Sequence, residues 1–235
     1  MSPENLSSAE KPGLAVAEIL IDAGCVDLDF TGPGFEFSHG IQSPIIIDCK
    51  RLVDSSHFKK IASDLETLIN STFRDFTFLC GVIRGGMPFA KSLGTRLGLS
   101  VVTRLGKPID QVDEEKIKMV SGEIVCHSKG LIIDDVLTTG GNVETCVEQI
   151  RAEKGCVLAT VVIFDYGFTK AHGKLRELGL NRWYLTNFQQ LLLAGESSGH
   201  FENWQIEELN NWWQKTSEFL DKQPVTAVRM LGNDY

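Results

Sequence analysis

The chain of 235 residues lacks any apolar run long enough to span a bilayer. It also lacks a basic n-region at its polar start, Met1 to Lys11, so no signal peptide is expected. Its six cysteines, at 25, 49, 80, 126, 146 and 156, form no C-x-x-C pair. That spacing argues against a zinc finger or a redox dithiol and for buried thiols in a reduced, cytoplasmic protein. No lysine followed by Ser or Thr closes a glycine-rich loop, which excludes a P-loop. No Gly-x-Gly-x-x-Gly follows a strand, which excludes the usual dinucleotide fingerprint. A net charge of −8 argues against non-specific nucleic-acid binding. No repeat, linker or low-complexity block divides the chain, so residues 1–235 are expected to form one domain.

What is present centres on Gly130-Leu131-Ile132-Ile133-Asp134-Asp135-Val136-Leu137-Thr138-Thr139-Gly140-Gly141-Asn142. Leu131 to Ile133 suit a strand buried on both faces. Two carboxylates follow, then hydroxyl and glycine residues, then a helical pattern over Val143 to Arg151. A turn that opens a helix offers backbone N–H groups and a favourable dipole to an anion. Thr138 and Thr139 add hydroxyl donors, and Gly140 and Gly141 allow close approach. The carboxylates would repel a phosphate, but they suit sugar hydroxyls or a hydrated divalent cation. A phosphorylated ribose satisfies all of these demands. The competing reading is a plain strand–turn–helix in which Asp135 and Thr139 only turn the chain.

A second strand–glycine turn–helix lies at Phe78 to Ile83, Arg84-Gly85-Gly86-Met87-Pro88 and Phe89 to Leu97. It suits a second anion, although a simple crossover turn explains its glycines equally well. From Arg84 to Lys107 there are five cations and no carboxylate, a local basic segment in an acidic chain. Residues 104–122 lack a period and read as a mobile lid or binding loop. Further strands are expected at Ile45 to Ile47, Val101 to Thr103, Val157 to Phe164 and Trp183 to Leu185. Helices are expected before Gly24, after Asp54-Ser55-Ser56, over Lys170 to Leu178, over Asn187 to Leu193 and over Glu202 to Leu220. The tail beyond Gln223 is expected to be loose. This alternation gives an α/β fold with a parallel sheet and ligands at the strand C-termini.

The central run resembles the ribose–diphosphate motif of type I phosphoribosyltransferases, with Asn142 in place of the usual Ser or Thr. Ser38-His39-Gly40-Ile41-Gln42-Ser43-Pro44, Gly81 to Ala90, Phe164 to Phe168 and Leu185 to Phe188 extend the likeness. Over most of its length the chain resembles the orotate phosphoribosyltransferase family. The resemblance implies a type I fold, with an N-terminal helix and hood over about 1–50 and a C-terminal helix and tail over about 200–235. It implies transfer of phosphoribosyl from phosphoribosyl pyrophosphate (PRPP) to orotate, with Mg2+, in a homodimer. Asp134 and Asp135 would hold the ribose and the metal's waters. Thr138, Thr139, Gly140, Gly141 and Asn142 would cradle the 5′-phosphate. Arg84, Gly85 and Gly86 would face pyrophosphate, Ser43, Ile45 and Ile46 would border the base, and Arg104 and Lys107 would close over the leaving group.

The chain departs from the family at several points. Gln42 stands where a lysine is usual, and Ile46 where an aromatic ring is usual. The loop reads Arg104-Leu105-Gly106-Lys107-Pro108, one residue short between its cations, and turns acidic at Asp113, Glu114 and Glu115. Lys116 or Lys118 could stand in for the missing lysine. Two alternatives therefore stay open: a PRPP- or nucleotide-binding regulator without turnover, and a phosphoribosyltransferase for another base.

Overall fold

The computed structural model describes residues 11–37, 40–105 and 121–223. The Ser38-His39 turn, Lys107, Lys116, Lys118 and the tail lie outside the described residues.

Helix α1 (Lys11–Asp22) precedes four short strands, β1 (Val26–Leu28), β2 (Phe35–Phe37), β3 (Ile41–Ser43) and β4 (Ile45–Ile47). These pair as two antiparallel ribbons, β1 with β4 and β2 with β3, and form the hood. A 3-10 turn (Cys49–Leu52), opened by the Asp48 side chain accepting from Lys50 N–H, leads to α2 (Phe58–Thr72). There follow β5 (Phe78–Ile83), α3 (Gly86–Leu97), β6 (Ser100–Leu105), β7 (Lys129–Leu137), α4 (Gly141–Ala152), β8 (Cys156–Asp165) and α5 (Thr169–Glu177). The chain closes with β9 (Asn181–Asn187), α6 (Phe188–Ser197) and α7 (Asn203–Lys222).

Five parallel strands make one sheet in the order β6-β5-β7-β8-β9. The expected parallel α/β architecture is therefore what the chain adopts. The sheet is covered on both faces, which is why β5 and the second half of β8, Val161 to Phe164, read as unbroken apolar runs. Leu79, Leu131, Ile133, Val161 and Ile163 point to one face and pack with residues of α1, α2, α3 and α6. Cys80, Val82, Ile132 and Val162 point to the other and pack under α4 and α5.

Most elements match their sequence patterns within a few residues, and two differ instructively. Helix α3 begins at Gly86 rather than Phe89, because Pro88 falls in the first turn, where no N–H is needed. Strand β7 does not stop before the acidic pair. It runs through Asp134 and Asp135 to Leu137, which pairs with Asp165 of β8.

The hood is held by the last helix. Trp212 donates its indole N–H to the Gln42 carbonyl (2.8 Å), and Trp213 donates to the Tyr166 carbonyl (2.6 Å). Phe37, Tyr166, Phe168 and Phe188 stack or meet edge-on with these rings. The Tyr166 hydroxyl donates to Ile45 O at 3.4 Å, tying β8's exit to the hood. Of the α7 aromatics, Trp212 and Trp213 thus pack on the core, while Trp204 and Phe219 stay exposed.

Leu65 of α2 is fully buried against the sheet. Leu65→Ala should lower unfolding free energy by about 2–5 kcal/mol in denaturant titration, with an unchanged far-UV spectrum.

Candidate active site

Two strand–turn–helix units meet at the C-terminal edge of the sheet. The first is β5, its turn and α3; the second is β7, its turn and α4. They touch because Gly85 and Gly86 have no side chains. A Cβ on Gly85 would overlap the Asp135 carboxylate, and one on Gly86 would overlap Ile133 O and lie 2.7 Å from Asp134 Cα. Both expected anion turns and the acidic pair therefore form one site. The peptide between Ile83 and Arg84 is cis, and Arg84 is exposed beside it.

Asp134 is buried and Asp135 half-buried. Each carboxylate accepts the next backbone N–H: Asp135 N–H to Asp134 Oδ1 and Val136 N–H to Asp135 Oδ1, both at 3.0 Å. Burial pushes Asp134 well above the ordinary carboxylate range, and the charge of Asp135 pushes it further. Burial also raises Asp135, against the neighbouring Asp134 hydrogen bond, backbone N–H groups and the Lys50 charge. The carboxyls titrate as a pair, with a shared proton favoured when nothing positive is bound.

Gly140 caps α4 in the left-handed region (φ 79), a conformation that suits glycine. The first bond of α4 runs from Glu144 N–H to Gly140 O (3.0 Å). The N–H groups of Gly141, Asn142 and Val143 precede it, so none has an acceptor within the helix. Thr139 is buried, Thr138 half-buried and Asn142 exposed at the same end. Five sequence-expected residues, Thr138 through Asn142, thus form a single N–H-rich turn beside Asp134 and Asp135.

The hood reaches the same edge through the 3-10 turn after β4. Burial raises Cys49 well above a normal thiol, and Asp135 and Asp134 add to that rise. Burial likewise pushes Cys25 up to about 11, helped by Asp48. These thiols stay protonated and are unsuited to nucleophilic work.

Three expected contacts are placed differently. Ser43 is turned inward: its hydroxyl donates to Ile45 O (2.6 Å) and accepts Ile45 N–H (3.2 Å). Ile45 is a core residue, so of the three expected base neighbours only Ile46 keeps a partly open side chain. Arg104, expected in a closing loop, lies inside β6 with its guanidinium 3% exposed. It donates to Glu153 Oε1 (2.6 Å), Thr103 O (2.8 Å) and Ser121 O (3.0 Å). Glu153 caps the C-terminal end of α4, so Arg104 points away from the strand ends. A guanidinium this dry needs paired acceptors, and the strand supplies them where a solvated loop would not.

Sequence reasoning missed the neighbours that support the turn. Lys174 of α5 is buried and pairs with Glu144 of α4 (2.6 Å). Asp165, at the end of β8, accepts from Arg182 Nε (2.7 Å) and Gly167 N–H (2.8 Å), with His172 Nε2 at 3.3 Å. Burial alone would raise Asp165; His172, Arg182 and the Gly167 N–H outweigh it and hold the group low. Lys174 and Glu144 lie 30 positions apart and Asp165 and Arg182 lie 17 apart, so no local pattern announces these pairs.

The profile of the phosphoribosyl transferase domain matches residues 49–179, more than half of the chain. The chain belongs to the phosphoribosyltransferase family. Orotate phosphoribosyltransferase of Lactobacillus johnsonii is 30% identical over 76% of this chain and 83% of its own length. That of Halalkalibacterium halodurans is 29% identical over 86% and 95%. Among solved structures, Leishmania donovani UMP synthase has a TM-score of 0.74 at 21% identity, covering 88% of this chain and 43% of that one. Orotate phosphoribosyltransferase from Aeropyrum pernix has a TM-score of 0.63 at 23% identity, covering 78% and 99%. Both structures share the fold.

The raised acidic pair has a thermodynamic consequence. A carboxyl whose folded value lies above its unfolded one contributes stability that is complete below the unfolded value and is lost as pH rises through the folded one. Asp134→Asn removes that loss and keeps the acceptor for Asp135 N–H. Without ligand, its melting temperature should exceed wild type by a few degrees near about pH 8, and the gain should vanish toward about pH 4. Equal melting curves across this range would show that the pair carries no such strain.

Proposed function

We propose that this chain transfers phosphoribosyl from PRPP to orotate, giving orotidine 5′-monophosphate and pyrophosphate, a step of pyrimidine synthesis. The observation that carries this reading is the direct contact between the Gly85-Gly86 turn and Asp135. It gathers two N–H-rich turns and a diol- or cation-binding carboxylate pair within the span of one phosphorylated sugar. The relatives named for this reaction align over most of the chain.

The 5′-phosphate lies on the Thr138–Asn142 turn, held by backbone N–H groups and threonine hydroxyls. Asp134 and Asp135 accept the ribose hydroxyls and fix the ring. The pyrophosphate faces Gly85, Gly86 and Arg84. The bond from C1′ to pyrophosphate oxygen breaks ahead of attack by the base nitrogen, so positioning and charge stabilisation do the catalytic work. The base enters between the β5 turn and the hood, with Ile46 at its edge. Lys107 is assigned to the leaving group, while Arg104 would have to leave Glu153 to join it.

The residues fit Mg2+. Two buried carboxylates with raised affinity for protons also favour a cation, and among the described residues no cluster of three or more His, Cys, Asp or Glu could hold an ion by itself. Asp134 and Asp135 would hold it through water, beside the pyrophosphate. When bound, it neutralises charge that the acidic pair would otherwise repel.

The same reading includes a homodimer in the cytoplasm. Trp183 and Trp204 are exposed, and apolar surface of this kind suits a subunit contact. The six free cysteines suit a reducing compartment. Among the described residues no helix is long and apolar enough to cross a membrane. Light scattering should give twice the chain mass.

The position of Arg104 favours one second reading, PRPP binding without turnover. A coupled assay of orotate consumption with PRPP and Mg2+, beside calorimetry with PRPP alone, separates the two: binding without turnover selects the second. Asp135→Asn should keep the fold and weaken Mg2+-dependent PRPP binding by about 1–3 kcal/mol. Unchanged affinity would remove Asp135 from the site.

A further inference from the structure

The phosphate turn has a charged neighbour that neither proposed substrate touches. Glu144 is the acidic residue in the first turn of α4, the end that presents the free N–H groups. A carboxylate there is favourable to a bare helix, because it complements the dipole. At a helix end that must accept a phosphate, the same charge opposes the ligand. Lys174 answers it. Its ammonium donates to Glu144 Oε2 at 2.6 Å, with side-chain exposures of 4% for the lysine and 20% for the glutamate.

Lys174 also lies against the turn itself. A Cβ built on Gly140 would stand 3.6 Å from Lys174 Cδ and 3.7 Å from Ala171 Cα and O. The α5 helix therefore backs the residue whose left-handed conformation starts α4. A lysine this dry is rarely left unpaired, and its partner here stands in the first turn of the helix proposed to take the 5′-phosphate.

We infer that Lys174 is a positioning residue for the phosphate turn: it cancels the Glu144 charge and braces Gly140, so that the α4 N-terminus stays receptive to a sugar phosphate. This rests on the site reading above. The ion pair joins α4 to α5 across a fully formed helix end, so it acts before any ligand arrives.

A charge cycle tests it, using PRPP and ribose 5-phosphate in calorimetry and PRPP in steady-state kinetics. Lys174→Met keeps most of the stem and leaves Glu144 uncancelled. It should weaken both ligands about tenfold and raise KM for PRPP similarly, with kcat within about threefold. Adding Glu144→Gln should recover most of that affinity, since the neutral pair no longer opposes the phosphate. Glu144→Gln alone should bind at least as tightly as wild type.

Normal binding by folded Lys174→Met overturns the inference, and so does a double variant as weak as the single one. If Lys174→Met does not fold, Glu144→Gln decides: a tenfold loss there overturns the charge role, and unchanged or tighter binding supports it. Wild-type protein that binds neither ligand removes the site reading as well. Wild-type binding with an insensitive Lys174 removes this inference alone.

Discussion

The site depends on a missing volume. The β5–α3 turn rests directly on β7 because Gly85 and Gly86 present only backbone to Asp135 and Ile133. With any side chain between them, the two turns would be pushed apart by roughly the width of a methyl group, too far for the one sugar proposed to span both. The parallel sheet makes the contact possible. It sets β5 beside β7 in register, Gly81 opposite Ile133, so that both turns leave the same edge, with β7 running on past the β5 turn to Leu137. The covered faces then fix that edge: α3 and α4 each start at it and run back along opposite faces of the sheet.

The electrostatics of the resting site are unfinished by construction. Asp134 and Asp135 are desolvated side by side, and among the described residues each carboxylate is hydrogen-bonded only through backbone N–H groups of its own strand and through its neighbour. Asp165 shows the contrast one strand away. It is as deeply buried as Asp134, yet Arg182, His172 and the Gly167 N–H hold it low. One carboxylate is saturated and structural. The other pair is held open for something positive or protic.

Much of this was legible in the sequence, for a physical reason. Buried parallel strands are continuous apolar runs, and turns that take anions need glycine and hydroxyl residues in fixed order. Both patterns are local, so β5, β7, β8 and the Thr138–Asn142 turn could be read directly. Contacts made across the fold could not. Arg104 looked like a loop cation because its partner, Glu153, lies almost fifty positions away. Ser43 and Ile45 looked available because a short strand does not announce which alternate residues turn inward. The pair of Lys174 with Glu144 was invisible for the same reason. The resemblance to a family supplied roles, while the burial of each group came only from three dimensions.

The order of the chain also matters. The hood strands come early, and their support comes last: the Gln42 carbonyl takes its indole N–H from Trp212, and the Tyr166 carbonyl takes one from Trp213. Loss of α7 would leave both carbonyls without these donors. A chain cut before α7 would carry the Thr138–Asn142 turn under an unfastened hood.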